Sequence, residues 1–199
     1  MNTLQGRSLV LRRLLPSDAE QLHINYYLNP HFIRLYRPND YSTHLASTRH
    51  ILTTIHYQLS LSQSPTFEYA FFRGPHLIGL LSLADINTSS QHAQILFGIF
   101  PYHAIGMSRV VAEAILLALS LAFNHMGLRR LYAYILDYNS HAATSITKCG
   151  FQLEGRMRKH FVSNNSIHDL LVFGCLKEDL CSQPSVQRLQ SYLLNQKVF

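Results

Sequence analysis

Apolar residues recur along this chain with two periods, and each switch between the periods marks a new element. Residues 7–14 (RSLVLRRL) alternate as a first strand does. From Pro16 the pattern predicts a helix, with Ser17 and Glu20 at capping-box spacing, each satisfying an orphan backbone N–H. It runs to about Leu28, where Asn29-Pro30 stops it. Residues 31–41 read as a loop with aromatics. A second helix is predicted from Ser42 or Thr43, with Leu45, Ile51, Leu52, Ile55 and Leu59 at roughly helical spacing and a Ser-Gln-Ser-Pro stop at 62–65.

Three strand-like runs follow, at 67–73, 76–86 and 92–100, separated by Gly74-Pro75 and by the polar stretch 87–91. Such short turns imply an antiparallel meander. The pattern then changes to a long apolar helix over about 108–125, with Gly127 as its cap, and a strand at 130–136. A helix at 140–148 ends at Cys149-Gly150, and two strands at 151–162 and 168–176 are joined by a turn at 163–166. A weakly amphipathic stretch at 186–194 reads as a peripheral helix. The expected division is therefore a domain over 1–178 and a C-terminal tail over 179–199. This order predicts a mixed α/β (α+β) fold: a twisted, mostly antiparallel sheet of about seven strands with helices on both faces.

The run at 110–123 (VVAEAILLALSLAF) is apolar on nearly every face. It is too short to span a bilayer and contains Glu113, so burial between a sheet and another layer is the simpler reading. Hydrophobic residues make up 47% of the chain and charged ones 14%, which supplies a core and leaves few side chains for acid–base chemistry. The formal charge of +6, with eleven carboxylates, favours anionic partners and disfavours a strongly cationic substrate, since no acidic cluster is present to hold one. The basic residues are scattered, without a polybasic run or a stripe interleaved with aromatics, which argues against a nucleic-acid module. The three cysteines, Cys149, Cys175 and Cys181, follow no disulfide or ligand spacing and read as free thiols of a cytoplasmic protein. His44, His50 and His56 recur every six residues, not at a metal-binding i, i+4 spacing, so no metal is expected. The N-terminus has no apolar signal-peptide core.

Three pieces of the second half resemble the GNAT superfamily of N-acetyltransferases. The first is a strand ending in Phe100-Pro101, a loop with Gly106 and a helix with Glu113-Ala114. The second is Ala122-Phe123 followed by 127–131 (GLRRL) and a strand that leads to Asn139. The third, and most specific, is Asn139-x-x-Ala142 with Lys148-x-Gly150-Phe151-x-x-Glu154-Gly155-x-x-Arg158 and the later Asp169. The match covers roughly residues 7–178 and is nearest the branch of ribosomal-protein N-terminal acetyltransferases. It implies acetyl-CoA as cosubstrate, an amine acceptor and a central parallel strand pair splayed around the cofactor.

The loop has a physical logic of its own, because the N-terminus of a helix presents unpaired N–H groups to a diphosphate. The resemblance assigns the pyrophosphate to His103, Ala104, Ile105, Gly106, Met107 and Ser108, where His103 stands for a basic or amide residue and Ser108 for the last small one. Placing Glu113-Ala114 on their family counterparts starts the helix near Arg109, so either the helix is longer than usual or the loop is atypical; Arg109 is a phosphate partner in either register. Asn139 either contacts the pantetheine arm or caps the following helix, and the two are compatible.

Acetyl transfer requires a neutral amine, a donor for the oxyanion and a proton for the leaving thiolate. By resemblance the oxyanion donor is a backbone N–H near Ile99, Phe100 and Pro101. The family's frequent proton-donating tyrosine falls at Ile146, which leaves Ser145 as the nearest hydroxyl, or an ordinary helix serine. For the base the candidates are Glu68, Asp85 and Asp169, with Asp85 preferred because it sits at a strand end. Glu154 is expected to support the turn or to pair with Arg156 or Arg158. The leading expectation is an acetyl-CoA-dependent N-acetyltransferase, monomeric or homodimeric and without a membrane partner. The alternative is a catalytically degenerate member that binds coenzyme A or a partner without turnover.

Overall fold

The computed structural model describes residues 3–29, Phe32, 66–100, 107–163 and 165–194. The helix expected from Ser42, and the loop before it, lie outside the described residues. An eight-stranded sheet forms the centre, in the order β1-β2-β3-β4-β5-β6-β8-β7. Its strands are β1 (Leu4–Gln5), β2 (Val10–Arg12), β3 (Phe67–Arg73), β4 (His76–Asn87), β5 (His92–Ile99), β6 (Arg130–Leu136), β7 (Gln152–Ser163) and β8 (Ser166–Leu176). The extra strand is β1, which precedes the run read as 7–14 and pairs with β2 inside it: Leu4 with Leu11 and Gln5 with Val10. Every neighbouring pair is antiparallel except β5 and β6.

Alternation along the strands sends side chains to two separate cores. Leu131, Ala133 and Ile135 of β6, Leu81 and Leu83 of β4 and Tyr69 of β3 face the larger one. The helix α2 (Met107–Ser120) lies in that layer, its residues 114–119 all buried, which explains a helix apolar on nearly every side. Its end widens into a π-type turn, with Met126 N–H bonded to Leu121 O, and Gly127 turns the chain at φ 69°. On the opposite face Leu80, Ala70, Phe72 and Phe100 pack with Leu22 and Tyr26, at and beyond the end of α1 (Ala19–Leu22). The sheet is thus covered on both sides.

The start of α1 departs from expectation. The carboxylate that organises it is Asp18, not Glu20: Asp18 accepts from Leu15 N–H at 2.7 Å and pairs bidentately with Arg12 at 2.7 and 2.9 Å. A buried carboxylate with both a backbone donor and a guanidinium outcompetes an exposed Ser17/Glu20 pair. The residues past 178 form most of α4 (Lys177–Ser182) and all of α5 (Pro184–Leu193), after the helix α3 (Ser140–Lys148). Leu180, Val186, Leu193 and Leu194 are buried within the larger core, so this segment packs as part of the body.

Candidate active site

Strands β5 and β6 pair at only three positions: His92 with Arg130, Ala93 with Leu131 and Gln94 with Tyr132. Beyond them β5 continues to Ile99 and β6 to Leu136 with no further pairing between the two. The parallel pair therefore opens into a slot toward its C-terminal end. Backbone direction along β5 follows from its ends. Gln91 C=O accepts from Arg129 and Arg130 N–H on the β6 side, whereas Phe100 N–H donates to Ile78 C=O on the β4 side at 2.8 Å. Since strand backbone groups alternate in direction, the N–H groups of Ile95, Phe97 and Ile99 point into the slot. Of the expected oxyanion donors, Ile99 is thus placed to serve, while the Phe100 N–H is engaged in the sheet. Pro101 carries no N–H at all.

Pro101, His103, Ala104, Ile105 and Gly106 lie outside the described residues. The helix α2 begins at Met107, two residues before the start expected from the family register, with Ser108 in its first turn. Arg109 is exposed, its guanidinium 5.9 Å from the Tyr192 ring centroid; that of Arg7 lies 4.6 Å from the same ring. Asn139 caps α3, its Oδ1 accepting from Ala142 N–H at 3.2 Å, which leaves the amide nitrogen for any further contact. Ser145 lies on an exposed face of α3 and donates to His141 C=O at 2.8 Å, so its hydroxyl is drawn back to its own helix.

Asp85 sits between the pairs Ala84–Gln94 and Asn87–His92, at a break in register, with φ 49°. Tyr132 hydroxyl lies 3.4 Å from its Oδ2. Burial first, and then the charge of Asp85, push the Tyr132 hydroxyl pKa upward. This places Asp85 at the closed end of the β5–β6 pair. It stands about three residues, or ~10 Å at strand rise, from the level of Leu96 in the slot. Asp85 thus lies beside the paired end of β5 and β6.

Asp169 accepts from Lys159 N–H at 2.8 Å and pairs with Arg156 at 3.3 Å, holding the irregular stretch of β7 where Lys159 has φ 52°. Glu154 pairs with Arg130 at 2.7 and 2.5 Å, not with Arg156 or Arg158. Its residue lies across β8 from Arg130 on the same face, whereas Arg156 is drawn to Asp169. The Arg130 hydrogen bonds hold the Glu154 carboxyl below its ordinary pKa.

Glu68 occupies a different position. Ser82 is fully buried and donates to Glu68 Oε1 at 2.8 Å. Glu68 pairs with Ser82 and Ser82 with Leu96, so the three form one transverse row. Tyr134 lies on β6 two residues past the last paired position, Gln94–Tyr132, on the same side of the strand as Tyr132. All four side chains lie on the face of Leu80 and Ala70, opposite α2. The sequence carried a signal for this face: Ser82 interrupts an apolar strand, and Tyr132 and Tyr134 alternate with buried Leu131, Ala133 and Ile135.

A mostly antiparallel sheet opened at one parallel pair, with a helix starting beyond the slot, defines an acyl-coenzyme A type of transferase architecture. The chain belongs to the GNAT acetyltransferase family: the model of the acetyltransferase (GNAT) domain matches residues 8–152. A probable N-acetyltransferase of Bacillus subtilis, YjcK, is 26% identical over 181 residues, covering 88% of this chain and 98% of its own. Among solved structures, spermidine N-acetyltransferase from Vibrio cholerae in complex with CoA and spermine superposes with a TM-score of 0.73 at 21% identity, covering 87% of this chain and 98% of that one. RimJ of Mycobacterium smegmatis in complex with CoA-disulfide gives a TM-score of 0.77 at 15% identity, covering 96% and 93%. No helix among the described residues is long and apolar enough to cross a membrane.

Proposed function

We propose that this protein transfers the acetyl group of acetyl-CoA to a primary amine, either a protein N-terminus or a small molecule, by direct attack through a tetrahedral intermediate. The observation that carries the reading is the opened β5–β6 pair, with three backbone N–H groups directed into the slot. A pantetheine arm fits there as an added strand does, by main-chain hydrogen bonds. The Ile99 N–H is the oxyanion donor, and a preorganised amide stabilises developing charge more than water does. Asn139 amide nitrogen meets the pantetheine arm, and Arg109 meets the diphosphate with the segment from His103 to Ser108. Two structural neighbours are described with bound CoA or its disulfide, which supports the same cosubstrate here.

A ribosomal-protein type of N-terminal acceptor is supported by the resemblance carried by the third sequence motif, and a polyamine acceptor is disfavoured by the +6 charge. The three free thiols support a cytosolic setting. Incubation with acetyl-CoA and a panel of peptide N-termini and small amines, with release of free CoA as the signal, tests the reading. Acceptor-dependent release supports it. A protein that binds acetyl-CoA yet releases no CoA with any acceptor is the degenerate member instead.

A further inference from the structure

The turn between β1 and β2, the start of α2 and the end of α5 meet at one exposed ring, Tyr192, which carries two guanidiniums. Resting on the acetyl-transfer reading above, we infer that Arg7, seated on Tyr192 beside Arg109, binds the 3′-phosphate of coenzyme A. The two arginines then divide the charge of one ribose, with Arg109 on the 5′-diphosphate and Arg7 on the 3′-phosphate.

Convergence is the first argument, and one carboxylate brings it about. Arg109 and Glu113 stand four residues apart in α2 and so lie one turn apart on the same face. Glu113 accepts from Ser8 N–H and Oγ and from Leu9 N–H, which fixes the β1–β2 turn against that face. Arg7, the residue before Ser8, is held from the other side by α5. Its N–H donates to Leu193 C=O at 2.9 Å and its guanidinium to Tyr192 C=O at 3.4 Å. The Tyr192 ring centroid then lies 4.6 Å from the Arg7 guanidinium carbon and 5.9 Å from that of Arg109. The two cations are therefore no farther apart than the sum of those distances.

Charge is the second argument. Two like charges gathered at one ring repel, and among the described residues no carboxylate pairs with either. The acid of the same helix, Glu113, is 2% exposed and spends its oxygens on Ser8 and Leu9. An anion between the guanidiniums turns the repulsion into attraction. The ring fixes the Arg7 head group, whose five N–H donors exceed its one carbonyl partner and leave a fork for phosphate oxygens.

Place is the third argument. β5, α2 and β6 form a parallel strand–helix–strand unit, so α2 starts at the C-terminal end of the strands, where β5 and β6 have parted. A coenzyme whose pantetheine lies in that slot carries its nucleotide out past the first turn of α2. Its ribose bears two anionic groups on one sugar, as Tyr192 bears two guanidiniums on one ring. Arg7 and Tyr192 both lie outside residues 8–152, so the contact is supplied by the two ends of the chain and not by the domain common to the family.

The test is calorimetric titration of the full chain with acetyl-CoA and with acetyl-3′-dephospho-CoA. Arg7→Gln removes an exposed head group and keeps the backbone bond to Leu193, so it should fold; an unchanged Tm without ligand verifies that. The wild type is expected to bind acetyl-CoA about 10-fold more tightly than the dephospho compound, the lower end of what a hydrogen bond to a charged group contributes. Arg7→Gln is expected to weaken acetyl-CoA by about the same 10-fold and to leave the dephospho compound unchanged, so that the variant no longer tells the two apart. Tyr192→Ala, which unseats Arg7, should lose part of the same discrimination, and Tyr192→Phe, which keeps the ring, should retain it. Equal affinities in the wild type overturn the inference and leave acetyl-CoA binding standing. So does an Arg7→Gln variant that weakens both ligands equally or keeps the preference. A wild type that binds neither coenzyme overturns the inference together with the acetyl-transfer reading.

Discussion

Glu113, buried in α2, holds Ser8 by two bonds at once. Its Oε1 accepts from Ser8 N–H at 2.7 Å and its Oε2 from Ser8 Oγ at 2.6 Å, while Leu9 N–H reaches Oε1 at 2.9 Å. A Cβ at Gly6 would stand 2.3 Å from the same oxygen, so the β1–β2 turn closes on the carboxylate only with glycine there. The carboxylate thus ties the N-terminal hairpin to α2.

Removing this carboxylate leaves two backbone donors without an acceptor in a site 2% exposed. Each orphaned buried donor costs about 1–3 kcal/mol. Glu113→Ala should therefore lower unfolding stability by about 2–6 kcal/mol in urea titrations, and Glu113→Gln, which keeps one accepting oxygen, by distinctly less. Equal losses for the two would show that packing, not hydrogen bonding, sets the cost.

Asn139 combines two roles that substitution can separate. Its side chain caps α3, and replacement of such a cap by alanine costs about 0.5–2 kcal/mol. Asn139→Ser retains a capping oxygen but has no amide nitrogen. Stability close to wild type with a raised KM for acetyl-CoA is the expected outcome for the serine variant. An unchanged KM would leave Asn139 as a helix cap alone.

The thiols differ in their environment and should differ in reactivity. Cys149 and Cys175 are buried and Cys181 is exposed, so a thiol reagent is expected to label the native protein once, at Cys181. Burial pushes the Cys149 thiol up to about 12 and shifts Cys175 in the same direction. Because the folded value is raised, the stabilising difference is complete below the unfolded value near 9 and is lost as pH rises from there toward 12. The slope for Cys149 is about 1.4 kcal/mol per pH unit. Cys149→Ala should flatten the alkaline stability curve relative to the parent; parallel curves would contradict the assignment.

The Arg130–Glu154 pair works in the opposite direction. Its carboxyl pKa is lowered, so its contribution is present above the unfolded value near 4.5 and is lost as pH falls through the folded one. Both side chains are about a third exposed, at 28% and 38%, and such pairs contribute about 0–1 kcal/mol. Glu154→Gln should change the midpoint of unfolding at pH 7 only slightly, and a loss above ~2 kcal/mol would mean that the pair matters to the β7–β8 packing.

Much of this fold is written in local pattern. The strand Arg130–Leu136 and the helix Ser140–Lys148 match the alternation and capping signals residue for residue, because one face of each is buried and Asn139 marks the helix start. The π-type turns after Leu22 and Ser120 left no trace in the apolar period, since a single widened turn shifts the pattern by one residue. Site chemistry was less legible than fold. Glu68 and Ser82 meet only through the pairing of β3 with β4, which no local pattern announces. Asp85 looked suited to a cleft mouth because it ends a strand, but that end of the sheet is where β5 and β6 remain closed. Glu154 likewise needed β8 between it and Arg130 before its partner was apparent.

The most direct test of the central claim is a thermal melt titrated with acetyl-CoA, with ATP and 3′-dephospho-CoA as controls. At about 100 times Kd, binding to the folded state adds about 2.7 kcal/mol. For a domain of this size that corresponds to a rise in Tm of about 5–10 °C. A saturable shift of that order, specific to the coenzyme, is the predicted result. An unchanged Tm at millimolar acetyl-CoA would mean that the slot between β5 and β6 does not hold the cofactor, and would contradict the account.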